Sequence, residues 1–307
     1  MPPVHTFLRA NQNIKGNLSE TEWPYEEFLV HLLQTVLEAN IIDHQGNNIQ
    51  EVNNSPKALT TGCERLRHLP LSTRLLLELH GIILWDARFG YRSTGAYRRV
   101  QNFVGPTTDI KDATYIPPEP QRIDEYMSNL GKYMNDELPD EFDPLIRAGI
   151  VHAQFETIHP FLDGNGRLGG ILIVLYFLDK GVLSRPSFFI GEELEKNKHR
   201  YCGLLNNLRT SSPAWKEWLA FFLGAAERQA DKNIDKLRQI EDLLNSMLRS
   251  ARENKIREDL IRFIFRKPIF TIKEAAAALG VSYNTASMHV HRLAKANRVS
   301  AGTVIKH

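Results

Sequence analysis

The sequence predicts a mainly α-helical protein in two domains with one small β-hairpin, and three observations carry that reading. Apolar residues recur three and four positions apart through 28–37, 66–84, 123–133, 144–158, 168–178, 215–222 and 234–248, the period of helices with one face turned to a core. One segment, 102–120, breaks that period: Gly105, Pro106, Asp109 and the Pro117-Pro118 pair punctuate short apolar stretches around 113–116, the pattern of a hairpin. Charge is also segregated. Lys and Arg outnumber Asp and Glu by 11 to 4 over 251–307 and are outnumbered 27 to 32 elsewhere, although the whole chain is only +2. A basic tail of this kind either meets a polyanion or forms a solvated basic face.

Taken in order, residues 1–55 read as an N-terminal helical segment, 56–230 as the main domain, 231–255 as a helical linker and 256–307 as a small C-terminal domain. In the linker, Ile234, Leu237, Ile240, Leu244 and Met247 form one apolar stripe on a charged helix, which is expected to bridge the domains without joining either core. A chain of 307 residues with 42% hydrophobic and 24% charged side chains is long and apolar enough for full-sized cores, which excludes disordered and collagen-like classes. The most apolar run, 171–178, stops at Asp179 and Lys180, too short to span a bilayer. The first twenty residues have no apolar stretch after a basic start, so no secretory leader is expected. Cys63 and Cys202 match neither a disulfide framework nor a metal spacing, and a cytoplasmic location follows as the expectation.

The chemistry concentrates in 159–167, His-Pro-Phe-Leu-Asp-Gly-Asn-Gly-Arg, between two predicted helices. Gly164 and Gly166 permit close backbone approach, and the apolar run from Leu168 places a helix N-terminus immediately behind them, where free N–H groups and the helix dipole attract an anion. Arg167 adds a fork of donors for phosphate oxygens, Asp163 is a hard oxygen ligand for Mg²⁺ that already carries phosphates, and His159 is a general base. These parts suit phosphoryl-type transfer to a hydroxyl. No Gly-Lys-Ser/Thr follows the glycines, so the loop is not a Walker A motif.

The string resembles the signature of the Fic-domain (Fic/DOC) family, His-x-Phe-x-Asp/Glu-Gly-Asn-Gly-Arg-x-x-Arg. The likeness extends through 95–102, 113–118, 152–158 and 195–201, and covers roughly 55–225. It implies a Fic-type helical core with a small β-hairpin flap, and an adenylyltransferase that moves AMP from ATP, with Mg²⁺, to a Ser, Thr or Tyr hydroxyl of a protein, which can be the enzyme itself. The resemblance makes His159 the base and Asp163 the Mg²⁺ ligand. It assigns the nucleotide phosphates to N–H groups of Gly164, Asn165 and Gly166, the Asn165 amide and Arg167. Asn197 and Tyr201 would enclose the adenine, and Thr114, Tyr115 and Ile116 would dock the target segment on the flap.

Two departures stand out. The final arginine of the signature falls at position 170, which is Gly170, and the glutamate of the family's inhibitory helix has only a degenerate counterpart at Glu38 in Gln34-Thr35-Val36-Leu37-Glu38-Ala39. Glu38 is either a relic of that helix or an ordinary exposed carboxylate. Losing a charge-assisted phosphate contact costs about 1.5–3 kcal/mol.

In the tail, 271–293 reads as helix, tight turn at Gly280, helix, and resembles the helix-turn-helix of winged-helix domains. That likeness would open the second helix toward the DNA major groove with Tyr283, Asn284, Thr285 and Ser287, and bring Arg292 near phosphates. A structural or protein-binding role is the competing reading of the same fold. Two functions therefore stay open: a Mg²⁺-dependent protein adenylyltransferase, or a weakened or inactive Fic protein that senses nucleotide and binds DNA as a regulator. The expected partners are ATP, a protein substrate and, through the tail, DNA; no membrane is expected, and a homodimer is compatible with either function.

Overall fold

The computed structural model describes residues 49–85, 94–138, 140–210, 212–268 and 270–297. Glu38, the helix expected over 28–37 and everything after residue 297 lie outside them. The described residues divide into two compact units, with the boundary between Lys232 and Asn233.

In the first unit the helices are α1 (Ile49–Leu66), α2 (Thr73–Ile83), α3 (Ile123–Met134), α4 (Pro144–Ile158), α5 (Asn165–Asp179), α6 (Gly191–Lys196), α7 (Lys198–Leu208) and the beginning of α8 (Trp215–Glu253). The periodic stretch 66–84 is two elements: Pro70 and the N-cap Ser72, which accepts a hydrogen bond from Leu75 N–H at 3.3 Å, separate α1 from α2. α4 starts at Pro144, where a missing N–H costs nothing, behind Asp143, whose carboxylate caps Leu145 N–H at 2.8 Å.

α5 is the centre of this unit. Every residue from Ile171 to Phe177 is buried, because α1, α2 and α4 all pack against it. A helix apolar on all sides is stable only when covered on all sides, and each fully buried Leu or Phe contributes about 1.5–3 kcal/mol. The first turns of α8 contribute Trp218 and Phe222, with the Trp218 indole N–H donating to the α4 carbonyl of Gly149 at 3.0 Å. α4 and α5, with the loop 159–164 between them, are thus held rigidly where the chemistry-bearing residues sit.

The hairpin expected over 102–120 reduces to one antiparallel bridge between Val104 and Tyr115, and there is no strand among the described residues. Val104 N–H donates to Tyr115 O at 2.8 Å, and Thr114 N–H returns to Val104 O at 2.8 Å. A ladder cannot extend from there, since Pro106, Pro117 and Pro118 have no N–H to donate and a 3-10 turn occupies Ile110–Asp112.

The second unit comprises the rest of α8 and the helices α9 (Glu258–Arg266), α10 (Ile272–Leu279) and α11 (Tyr283–Asn297). The stripe expected to join neither core is corrected here: Leu244 and Met247, with Ala251, are buried among Leu260, Ile261, Phe265, Ile272, Leu279 and Leu293. Sequence separation hid this, because the residues that cover the stripe follow it by 13 to 49 positions. α10 opens with a capping box, Thr271 N–H to Glu274 Oε2 at 2.7 Å and Glu274 N–H to Thr271 Oγ1 at 3.3 Å, and closes on Gly280 in the left-handed region. No helix among the described residues is long and apolar enough to cross a membrane.

Candidate active site

His159 terminates α4. Its backbone is left-handed, φ 47° and ψ 60°, and its N–H closes the helix on Phe155 O at 2.9 Å, so the chain turns sharply there into Pro160. Burial drives the imidazole down to about 4; the Glu156 backbone carbonyl, which hydrogen-bonds it, opposes this, and Arg209 and Arg98 reinforce it. At neutral pH the His159 imidazole is therefore uncharged.

The loop is fixed from inside by Asn165. Its Oδ1 accepts from Phe161 N–H at 3.0 Å and its Nδ2 donates to Phe161 O at 2.9 Å, with the residue itself 2% exposed. The expectation that this amide faces the anion is corrected: it is committed to Phe161, and only its backbone N–H stays at the helix N-terminus. Gly164 has φ +81°, and Leu168 N–H to Gly164 O at 3.0 Å is the opening i→i−4 bond of α5. The N–H groups of the preceding turn, including Gly166, have no acceptor within the helix and form the positive end of its dipole.

At the rim, the side chain of Asp163 is exposed. Its Oδ1 accepts from Gly164 N–H at 2.6 Å, and its Oδ2 lies 3.3 Å from Arg167 Nη2. Among the described residues no cluster of three or more His, Cys, Asp or Glu could hold a metal by itself. One carboxylate beside a helix N-terminus nevertheless suits Mg²⁺, which keeps waters and phosphate oxygens in its shell. An added Cβ at Gly170 meets nothing within 4 Å, so the position of the missing arginine is open space.

Four residues that support this loop were not singled out as site residues from the sequence. His80 of α2 stacks on Phe161 at 3.7 Å; its Nδ1 accepts from Gly95 N–H at 3.0 Å, which makes Nε2 the donor to Asp163 O, also at 3.0 Å. The buried Arg98 donates from Nε to His159 O at 3.0 Å and from Nη2 to Pro118 O at 2.5 Å, tying the loop to the bridged segment. Arg209 donates to Glu156 O at 3.0 Å and to Thr157 Oγ1 at 3.3 Å, a cation at the C-terminus of α4. The fourth is Glu156, a carboxylate on the largely buried α4, three residues before His159. That position was the available signal; a lone histidine and scattered arginines give none.

Thr114 spends its N–H and hydroxyl on Val104 O. Tyr115 faces inward: its hydroxyl donates to Thr157 O at 2.6 Å under the Arg209 guanidinium, and Ile116 alone of the three is exposed and apolar. Asn197 Nδ2 donates to Glu193 O at 2.8 Å. Tyr201 donates its hydroxyl to His152 Nε2 at 3.0 Å, while His152 Nδ1 donates to Gly169 O at 3.3 Å. In the second unit, Tyr283, Asn284 and Arg292 are exposed on α11, Thr285 donates its N–H to the capping Ser282 Oγ at 3.2 Å, and Ser287 contacts His291.

A helical unit with a neutral histidine ending one central helix and the positive end of a helix dipole beginning the next defines a candidate group-transfer site. The model of the Fic/DOC family matches residues 70–177, which span that site, and the chain carries a Fic/DOC family domain. It is similar to the protein adenylyltransferase fic-1 of Caenorhabditis elegans, 32% identical over 114 residues, and to the protein adenylyltransferase Fic of Drosophila grimshawi, 26% identical over 141 residues. These matches cover 37% and 46% of this chain but only 20% and 26% of those proteins. Among solved structures, a Fic family protein from Desulfovibrio desulfuricans aligns over 96% of this chain and 90% of its own with TM-score 0.51 at 16% identity. A Fic domain containing signaling protein from Bacteroides thetaiotaomicron aligns over 92% and 98% with TM-score 0.51 at 18% identity. At such identity the likeness concerns the fold.

Proposed function

We propose that this protein is an adenylyltransferase that moves AMP from ATP to a hydroxyl side chain of a protein. The observation that carries the reading is His159, an uncharged imidazole at the end of α4, on the loop that leads into the anion-binding N-terminus of α5. With Nδ1 on the Glu156 side of the ring, Nε2 accepts the proton of the target hydroxyl as its oxygen bonds to the α-phosphorus. The bond from that phosphorus to the bridging oxygen breaks, and pyrophosphate leaves with the electron pair. The N–H groups at the start of α5 and Arg167 meet the negative charge of the phosphates, preorganised before the reaction begins. Asp163 is the residue that would hold Mg²⁺, whose chemistry there is neutralisation of phosphate charge. Gly170 withholds one further cation, which lowers the rate without removing any of these parts.

Intact-mass spectrometry after incubation with ATP and MgCl₂ tests this, because self-modification needs no known target. An AMP-sized increase in the wild type, reduced about 10²- to 10⁴-fold in His159→Ala, is the expected result. No increase in the wild type, under conditions where an added panel of proteins also stays unmodified, would overturn the reading. For the second unit, the exposed Tyr283, Asn284 and Arg292 on α11 favour DNA as its partner. A duplex titration whose affinity falls steeply with salt supports that role, and salt-independent or absent binding removes it.

A further inference from the structure

Glu156 is a buried acid without an assigned task. It is 6% exposed, and its Oε1 has no hydrogen-bond partner. An orphaned carboxylate oxygen in a core is costly and calls for a cause. Its other oxygen, Oε2, lies 3.9 Å from His159 Nδ1, one helical turn along the same face of α4. Opposite it, α5 carries Gly169, where an added Cβ would fall within contact distance of Oε1 and 3.3 Å from His152 Cε1. The space that lets a carboxyl stand there exists because position 169 has no side chain.

We propose that Glu156 is a positioning residue for His159, its carboxylate stabilising the imidazolium that forms when Nε2 takes the proton of the attacking hydroxyl. This rests on the adenylyltransferase reading above. With Nδ1 3.9 Å from Oε2, a shift of about 1 Å brings Nδ1–H onto the carboxylate, so the proton gained at Nε2 is balanced by a negative charge at the far side of the ring. Other groups face Glu156 too: Arg209 favours the ionised acid, and the charge of Glu156 in turn pushes the Tyr201 hydroxyl and Cys202 thiol of α7 upward, so both stay neutral beside it. Burial raises the acid to about 7, so the pair loses its last proton near neutral pH.

Glu156→Gln keeps the shape and removes the charge. In wild type, the transfer rate is expected to rise with pH on a limb near 7; in the variant that limb flattens and kcat falls about 10- to 100-fold, as a loss of one to two pKa units of imidazolium stabilisation gives, with KM for ATP unchanged. A raised KM at unchanged kcat would overturn the proposal by making Glu156 a nucleotide-binding residue. NMR titration of the His159 ring, assigned with His159→Ala, reads the coupling without any activity. An inflection near pH 7 that disappears in Glu156→Gln supports it, and superimposable curves refute it. If the ring titration changes while wild type transfers no AMP, the coupling stands and the adenylyltransferase reading falls. Glu156→Asp, which retracts the charge by one methylene, is expected to give an intermediate titration; one identical to wild type would also count against the proposal.

Discussion

Replacing Asn165 with alanine separates two roles for the most characteristic residue of the loop. Its amide makes two hydrogen bonds, both to the backbone of Phe161, at 3.0 and 2.9 Å, and is almost wholly buried. Alanine leaves Phe161 N–H and C=O without these partners in a site water does not reach. An unsatisfied buried donor costs about 1–3 kcal/mol and the second bond about 1 kcal/mol, a total of ~2–4 kcal/mol. For a domain of 150–250 residues, at about 2–4 °C per kcal/mol, the melting temperature should drop by roughly 4–16 °C. Asn165→Asp keeps the acceptor for Phe161 N–H but loses the donor, and should fall between wild type and alanine. The assay is thermal unfolding followed by circular dichroism or calorimetry, with and without ATP. If Asn165→Ala melted within 1 °C of wild type yet lost ATP-induced stabilisation, the amide would be a ligand donor and the loop-staple reasoning would be wrong.

Gly170→Arg should fold normally, melting within about 2 °C of wild type, since a side chain there enters open space; with a cation restored near the phosphates, AMP transfer should rise by about 10-fold or more, the equivalent of a charge-assisted hydrogen bond. Unchanged transfer would show that position 170 does not limit the reaction. Stability should also depend on pH in a defined way. His152 and His159 are both pushed from 6.5 to about 4 by burial, so their contributions are present above pH 6.5 and are lost as pH falls toward 4, at about 3 kcal/mol each. Glu156, raised from 4.5 to about 7, works the other way, stabilising below 4.5 and losing that contribution as pH rises through 7, also at about 3 kcal/mol. Denaturant unfolding should therefore show a net loss of about 2–3 kcal/mol from pH 7 to 4.5 in wild type and about twice that in Glu156→Gln. A flat profile in both proteins would contradict the assigned burial of these groups.

Local chemistry made the helices legible, since a 3.6-residue period, Pro144 at a first turn and Ser72 or Thr271 as caps act within four residues of where they stand. The loop 159–167 was readable for the same reason: its glycine at φ +81° and the helix that follows are consequences of neighbouring residues. The hairpin shrinks to one bridge, because alternation and turn residues suggest strands, while the ladder itself depends on donors that three prolines remove. What tertiary structure alone decided lies across the chain. His80 reaches Asp163 over 83 positions and Arg98 reaches His159 over 61. The Asn165 amide bonds only four residues away, yet a signature that shows an amide beside an anion-binding turn does not say which way it points; burial decided that. The orphaned oxygen of Glu156 likewise depends on Gly169 of the neighbouring helix, a juxtaposition set by how two rigid cylinders pack. The sequence by itself therefore determined which residues could do chemistry. Packing determined which of them are free to do it, since a buried polar group must either find a partner in the fold or be held in reserve for the reaction.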